Sequence, residues 1–217
     1  MGRVRELNED AFAARPQAGL WAVADGMGGH SAGDVASARL VEALDLCLPV
    51  DGAVRAAVAE AHADLRSLAG ASRVIGSTLT VLMIAERRFS CLWAGDSRAY
   101  RLDEGGLARL TRDHTLAQAL VDGGAMRPEE AATSRQAHII TRAVGVDPLV
   151  LDLADGPVAR GDRFLLCTDG LTGHVTDAEI SDLLTGAELE AAADELLALA
   201  LERGGRDNVT VVLVEAA

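Results

Sequence analysis

The chain has 217 residues, 49% of them hydrophobic and 24% charged. That is ample for a sizeable core, and it excludes a disordered, collagen-like or disulfide-stapled chain. A net charge of −13 opposes nucleic acid and anionic membrane, 3% aromatics leave no base-stacking platform, and all 20 basic residues are Arg, so lysine chemistry is excluded.

Cys47, Cys91 and Cys167 lie far apart in apolar stretches and form no C-x-x-C pair. They read as reduced core residues. No apolar run approaches the ~20 residues of a membrane helix, and no basic-then-apolar leader opens the chain. A cytoplasmic protein is expected. No repeat, low-complexity stretch or Pro- or Ser-rich linker divides it, so residues 1–217 are expected to form one domain.

Leu20–Ala24 reads as a short buried strand ending in Asp25-Gly-Met-Gly-Gly29, whose glycines predict a loop. Ser31 or Asp34 is the expected cap of a helix over Val35–Leu48, and a second Ala-rich helix follows over Gly52–Leu68. Ser77–Ala85 and Phe89–Ala94 are β-branched or apolar runs split by Glu86-Arg-Arg88, which predicts a hairpin. Arg98–Leu102 and Leu107–Leu110 predict another about Asp103-Glu-Gly-Gly106. Short helices are expected at Leu116–Val121 and Pro128–Ala132, and a buried strand at Arg163–Cys167. Helices at Asp177–Leu184 and Ala187–Arg203 precede a closing strand, Asn208–Glu215. Consecutive hairpins with helices in separate runs give an α+β fold with antiparallel sheet.

The acidic residues at the ends of those elements carry the chemistry. Glu9 and Asp10 precede an apolar stretch; Asp25, Asp96 and Asp169 end strands; Asp207 opens the last one. Alone, each Asp-Gly pair is an ordinary turn. Together, acids at strand ends can meet at one edge of a sheet. Oxygen ligands without His or Cys at ligand spacing fit Mg²⁺ or Mn²⁺ rather than Zn²⁺. Without a cation such a cluster repels itself.

Six motifs occur in order: Arg5-x-x-Asn8-Glu-Asp10, Ala24-Asp-Gly-Met-Gly-Gly29, Gly76-Ser-Thr-Leu79, Gly95-Asp-Ser-Arg98, Cys167-Thr-Asp-Gly-Leu171 and Gly205-Arg-Asp-Asn-Val209. The chain thereby resembles, over essentially its whole length, the metal-dependent serine/threonine protein phosphatases of type 2C in their compact bacterial form. The resemblance implies a four-layer α-β-β-α sandwich of two antiparallel sheets flanked by helices. It implies hydrolysis of phosphoserine and phosphothreonine in proteins, the substrates of a serine/threonine kinase, by a monomer using two Mn²⁺ or Mg²⁺ ions. By position, Asp25 would bridge the two ions, the Gly26 carbonyl would bind one, and Asp169 and Asp207 would hold the other. Glu9 and Asp10 would act through bound waters, Asp96 would hold a weaker third ion with Asp169, and Arg5 would grip the phosphate. Two ions about 3.5–4 Å apart can share and activate a water, with no covalent enzyme intermediate.

Met27 stands where many relatives have His, and His30, three residues on, is weighed as a replacement acid against a loop or helix-start role. Few residues precede Arg5, so either the strand before it is short or the start of the sequence is misassigned. Residues 113–145 correspond to a flap beside the cleft; Arg112, just before it, and Arg127, Arg135 and Arg142 within it are weighed as substrate contacts against a solvated loop. His138 is read as packing or an indirect contact, and Trp21 and Trp93 as core. Two other readings stay open: an inactive phosphoprotein-binding module, and a phosphatase switch for an anti-sigma-type partner. The intact Asp25, Asp169 and Asp207 favour the enzyme.

Overall fold

The structure, a computed structural model, describes residues 2–28, 32–70, 73–131 and 133–217. Its strands are β1 (Asp10–Arg15), β2 (Leu20–Gly28), β3 (Ile75–Ser77), β4 (Leu79–Ala85), β5 (Arg88–Ala94), β6 (Arg98–Asp103), β7 (Gly106–Arg109), β8 (Asp152–Pro157), β9 (Arg163–Cys167) and β10 (Val211–Glu215). Its helices are α1 (Gly33–Leu46), α2 (Asp51–Ala69), α3 (Leu116–Asp122), α4 (Pro128–Ala131), α5 (Asp169–Thr172), α6 (Asp177–Gly186) and α7 (Leu189–Glu202). One sheet has the order β1-β2-β4-β5-β8 with β3 paired to the end of β2, and the other has the order β10-β9-β6-β7. The strand pairings are antiparallel in both.

Period-2 alternation explains the layering, because strands in the middle of this stack are apolar on both faces. In β4, Leu79, Val81 and Met83 join the cluster under α1 and α2, while Leu82 turns to the space between the sheets. In β9, Phe164 and Leu166 face that same space, while Leu165 and Cys167 face α6 and α7. The helices answer with buried residues four apart: Ala36, Leu40 and Leu44 in α1, and Ala192, Leu196 and Ala200 in α7. The result is a four-layer α-β-β-α sandwich. Trp93 is buried and Trp21 partly buried in the middle layer, as expected of core residues.

The loop expected at Asp25–Gly29 is instead strand as far as Gly28. Its glycines are paired, Gly26 with Ser77, Met27 with Gly76 and Gly28 with Ile75. They serve close packing rather than turning: a Cβ on Gly26 would collide with the Gly33 carbonyl. The single strand expected over Ser77–Ala85 is accordingly split at Thr78 into β3 and β4. The first helix starts earlier than expected, at Gly33; Asp34 lies inside its first turn, bonded to the Val35 N–H, rather than at the cap. Ser31, His30 and Ala132 lie outside the described residues. The last helix is Leu189–Glu202, and β10 opens at Val211 rather than Asn208. Among the described residues, no strand precedes Asp10.

The β4–β5 hairpin turns on Glu86 and Arg87, both in the left-handed region at φ 49° and 58°. Such a two-residue turn matches strand twist but suits Asn-Gly, since Cβ opposes positive φ. Glu86→Asn combined with Arg87→Gly is expected to stabilise the protein by about 1–2 kcal/mol, raising Tm by roughly 3–6 °C for a chain of this size. Thermal melts of the double variant check this; an unchanged or lower Tm would refute it.

Candidate metal centre

Sheet register brings the first two acids together. Asp10, the opening residue of β1, stands directly opposite Asp25 on β2. The Asp25 backbone is locked on both sides: its N–H donates to Thr78 Oγ1 at 2.9 Å, and its carbonyl accepts from the Thr78 N–H at 2.9 Å and from Ser77 Oγ at 3.0 Å. Thr78 Oγ1 is itself 2.8 Å from Ser97 Oγ, beside Asp96. The Gly26 N–H donates to the Glu9 carbonyl at 2.9 Å. The Glu9 N–H donates to Asn208 Oδ1 at 2.9 Å, and Asn208 Nδ2 donates to the Leu7 carbonyl at 3.0 Å. Buried Asn208 thus pins the segment carrying Glu9 to the loop carrying Asp207.

Asp10 ties the two sheets together. Its Oδ2 accepts from Thr168 Oγ1 at 2.8 Å and from Thr210 Oγ1 at 2.7 Å, both in the second sheet's end loops. Asp169 follows Thr168 as the first residue of α5, and Asp207 lies just before Asn208. A Cβ on Gly170 would collide with the Asn208 carbonyl, so glycine lets these two loops touch. Asp96 follows Gly95, which sits at φ +115° against the Thr78 side chain.

The acids sense one another. Burial pushes the Asp10 carboxyl up to about 6, against the two threonine hydrogen bonds, and the charges of Asp169 and Asp207 add to the rise. Burial and then Asp10, Asp169, Asp96 and Asp207 hold Asp25 well above the usual carboxylate range. Asp96 is pushed up to about 7 by burial, then by Asp169 and Asp113. Asp169 is raised by burial and by Asp207. Among the described residues, the buried oxygens Asp10 Oδ1 and Asp169 Oδ1 have no hydrogen-bond partner. Unpartnered carboxylate oxygens in a self-repelling cluster are what a divalent cation relieves, and the all-oxygen set suits Mg²⁺ or Mn²⁺. Among the described residues, no three His, Cys, Asp or Glu side chains close on a single point. An ion here would therefore complete its shell with water and backbone carbonyl, as Mg²⁺ does readily.

Glu9, Asp10, Asp25, Gly26, Asp96, Asp169 and Asp207 thus gather at one end of the sandwich. Arg5 joins them: its Nη2 donates to Asp207 Oδ2 at 2.7 Å, with the side chain 53% exposed at the mouth. A cavity of about 820 Å³ runs from Asp96 and Asp169 beneath the 113–145 segment and is lined by Trp93, Arg112, Val121 and His138 among others. His138 is therefore cavity lining, close enough to Asp169 to oppose that acid's rise. Arg112 is paired with Asp122, Arg127 with Glu130 and Arg142 with Asp152, so three of the four arginines weighed as substrate contacts hold carboxylates of their own. Cys91 and Cys167 are buried with thiols pushed up to about 12, which makes them poor nucleophiles. Sequence reasoning missed Thr78, Thr168, Thr210 and the pinning role of Asn208. Thr78, Thr168 and Asn208 lie inside the ordered motifs and Thr210 directly after the last of them, which was the available signal.

Among the described residues, no helix is long and apolar enough to cross a membrane. The family model described as protein phosphatase 2C matches residues 3–213. The serine/threonine protein phosphatase PstP of Mycobacterium tuberculosis (strain ATCC 25618 / H37Rv) is 40% identical over 230 residues, covering 99% of this chain. The chain spans only 43% of that relative's length. Among solved structures, PppA of Pseudomonas aeruginosa, titled a key regulatory component of T6SS, superposes with a TM-score of 0.91 at 42% identity, covering 100% of this chain and 94% of that one. The catalytic domain of PstP in complex with 2 manganese ions gives a TM-score of 0.84 at 39% identity, covering 99% and 94%.

Proposed function

The chain belongs to the protein phosphatase 2C family, and we propose that it hydrolyses phosphoserine and phosphothreonine in proteins phosphorylated by serine/threonine kinases, using Mn²⁺ or Mg²⁺. The observation that carries this reading is the meeting of buried, mutually repelling carboxylates, two of whose oxygens have no partner among the described residues. The relative solved with 2 manganese ions supports the choice of cation. Asp25 would hold both of two ions, with the Gly26 carbonyl on one and Asp169 and Asp207 on the other; Glu9 and Asp10 would act through water, and Asp96 with Asp169 would hold a weaker third. Bound there, such ions supply positive charge to the phosphate oxygens and lower the pKa of a water nucleophile.

The chain's own residues do the rest. Arg5 presents a guanidinium fork at the mouth, matched to two phosphate oxygens. Asp10 Oδ2 is occupied by two threonine hydroxyls, which leaves Oδ1 as the open acceptor for a water proton. Water oxygen bonds to phosphorus, the serine or threonine oxygen departs and takes up a proton, and inorganic phosphate is released. No Lys exists and the strand cysteines are inert, so direct transfer to water fits the residues present.

The test is hydrolysis of p-nitrophenyl phosphate and a phosphothreonine peptide after EDTA treatment, with and without Mn²⁺. Activity on both, restored only by Mn²⁺, is expected. Bound metal without turnover would make the chain a phosphoprotein-binding module instead. Arg5→Ala is expected to raise KM on the aryl phosphate more than it lowers kcat, because the fork grips the ground state as well. Equal loss in both would assign Arg5 to the transition state alone.

A further inference from the structure

His114 is 7% exposed and makes contacts on both edges of its ring. On one edge, the Gly95 N–H donates to Nδ1 at 3.1 Å, while the His114 N–H donates back to the Gly95 carbonyl at 2.9 Å. A backbone N–H can only donate, so Nδ1 must accept, and the ring proton sits on Nε2. On the other edge, Nε2 lies 3.1 Å from Asp152 Oδ2 on β8 and donates to it, and with the proton on Nε2 the approach of Arg142 Nη1 to 3.3 Å is a packing contact rather than a hydrogen bond. Arg142 Nη1 donates to the other Asp152 oxygen at 2.8 Å. The face of the ring stacks on Trp93, with centroids 6.1 Å apart and planes 14° apart, and the indole N–H donates to the Arg112 carbonyl at 2.9 Å. The His114 carbonyl accepts from the Thr141 N–H at 2.8 Å, and Thr115 bridges Ile140.

Those contacts join two places, alongside the Arg98–Asp113 ion pair at 2.7 and 3.0 Å and the Trp93–Arg112 hydrogen bond. One is the Gly95–Asp96 turn, held from its far side by Thr78, which also locks Asp25. The other is the pair of stems, near residues 112–115 and 140–142, from which the segment roofing the 820 Å³ cavity springs. We propose that His114 is a positioning residue for Asp96, fixing its carboxylate toward Asp169 and making that placement depend on the stems of the 113–145 segment. The inference rests on the reading of Asp96 as a metal-holding acid and goes beyond it. A residue that orients a metal-holding acid through a hydrogen bond typically changes metal affinity or activity 10–100-fold when altered.

The two edges of the ring can be tested separately. His114→Asn places an amide oxygen near the position of Nδ1, keeping an acceptor for the Gly95 N–H while losing the reach to Asp152. His114→Gln places its amide near Nε2 and loses the Gly95 contact. Mn²⁺ titration by calorimetry and the Mn²⁺ dependence of phosphothreonine-peptide hydrolysis are measured for wild type and both variants, with Tm alongside. In His114→Gln the weakest Mn²⁺ site is expected to lose roughly 10–100-fold in affinity, with most of the wild-type affinity recovered in His114→Asn. Equal Mn²⁺ binding by the two variants would overturn the proposal, whether both match wild type or both fall in step with Tm. Wild type that binds no Mn²⁺ would overturn the metal reading itself, a failure told apart by the wild-type titration alone.

Discussion

Replacing Asp25 with Asn is expected to abolish Mn²⁺-dependent hydrolysis, by at least about a thousandfold, or ~4 kcal/mol of transition-state stabilisation. Asp25 is the acid that feels all four other aspartates of the cluster: its rise is driven by burial and then by Asp10, Asp169, Asp96 and Asp207. A group in that position is the natural partner of more than one cation. Asn keeps the size but halves the ligating oxygens and removes the charge. The same change is expected to raise Tm in EDTA, because it takes one charge out of a self-repelling cluster. It should also shrink the Tm gain on adding Mn²⁺, since a ligand stabilises only as far as it binds the folded state. The opposed signs in EDTA and in Mn²⁺ separate a lost metal site from a misfolded variant. Activity within tenfold of wild type would remove Asp25 from the centre.

Much of this arrangement was legible in the sequence where local chemistry dictates structure. The β4–β5 hairpin follows from two runs, one rich in β-branched residues and one apolar, around Glu86-Arg-Arg88, and α6 begins at Asp177 behind Thr176, which forms a reciprocal cap with Glu179. The acids were legible as a set because each belongs to an ordered series of motifs, and all but Asp25, which lies inside β2, stand at or near an element boundary. The strand character of Asp25–Gly28 was not legible, because glycine that permits close sheet packing is written with the same letter as glycine that turns. β8 escaped for a similar reason: Asp152-Leu-Ala-Asp-Gly-Pro157 carries two Asp, a Gly and a Pro. Pro is tolerated there because β8 is an edge strand, paired on one side by β5. Thr168 and Thr210 escaped because their role is set by the meeting of two sheets: neither neighbours Asp10 in sequence, yet both donate to its Oδ2. His114 shows the same limit, since its partners come from two separate stretches, Trp93 and Gly95 at the end of β5 and Asp152 on β8.

Stripped of metal, the protein is expected to lose stability as pH rises from about 5 to 8, and Mn²⁺ is expected to reverse that trend. Unfolded aspartates titrate near 3.9. In the folded chain Asp10 is raised to about 6 and Asp96 to about 7, with Asp25 and Asp169 raised as well. Over this window the folded state therefore binds more protons than the unfolded one, so stability falls as pH increases. Each group's favourable share is complete below the unfolded pKa and is lost as pH passes through the folded value. His114, lowered by burial, works in the opposite sense, as one group against four. Glu179, lowered to about 2 by Arg203, loses its contribution only on the acid side of the window. Divalent cations bind the deprotonated acids, so their stabilisation grows with pH. Thermal melts at pH 5 and pH 8, in EDTA and in Mn²⁺, give the four values needed. The expected order is a higher Tm at pH 5 than at pH 8 in EDTA, with the larger Mn²⁺-induced gain at pH 8. A Tm in EDTA that is flat or rises across this range would mean that burial and mutual repulsion do not raise these carboxyls in the folded chain, and the case for a cation among them would fall with it.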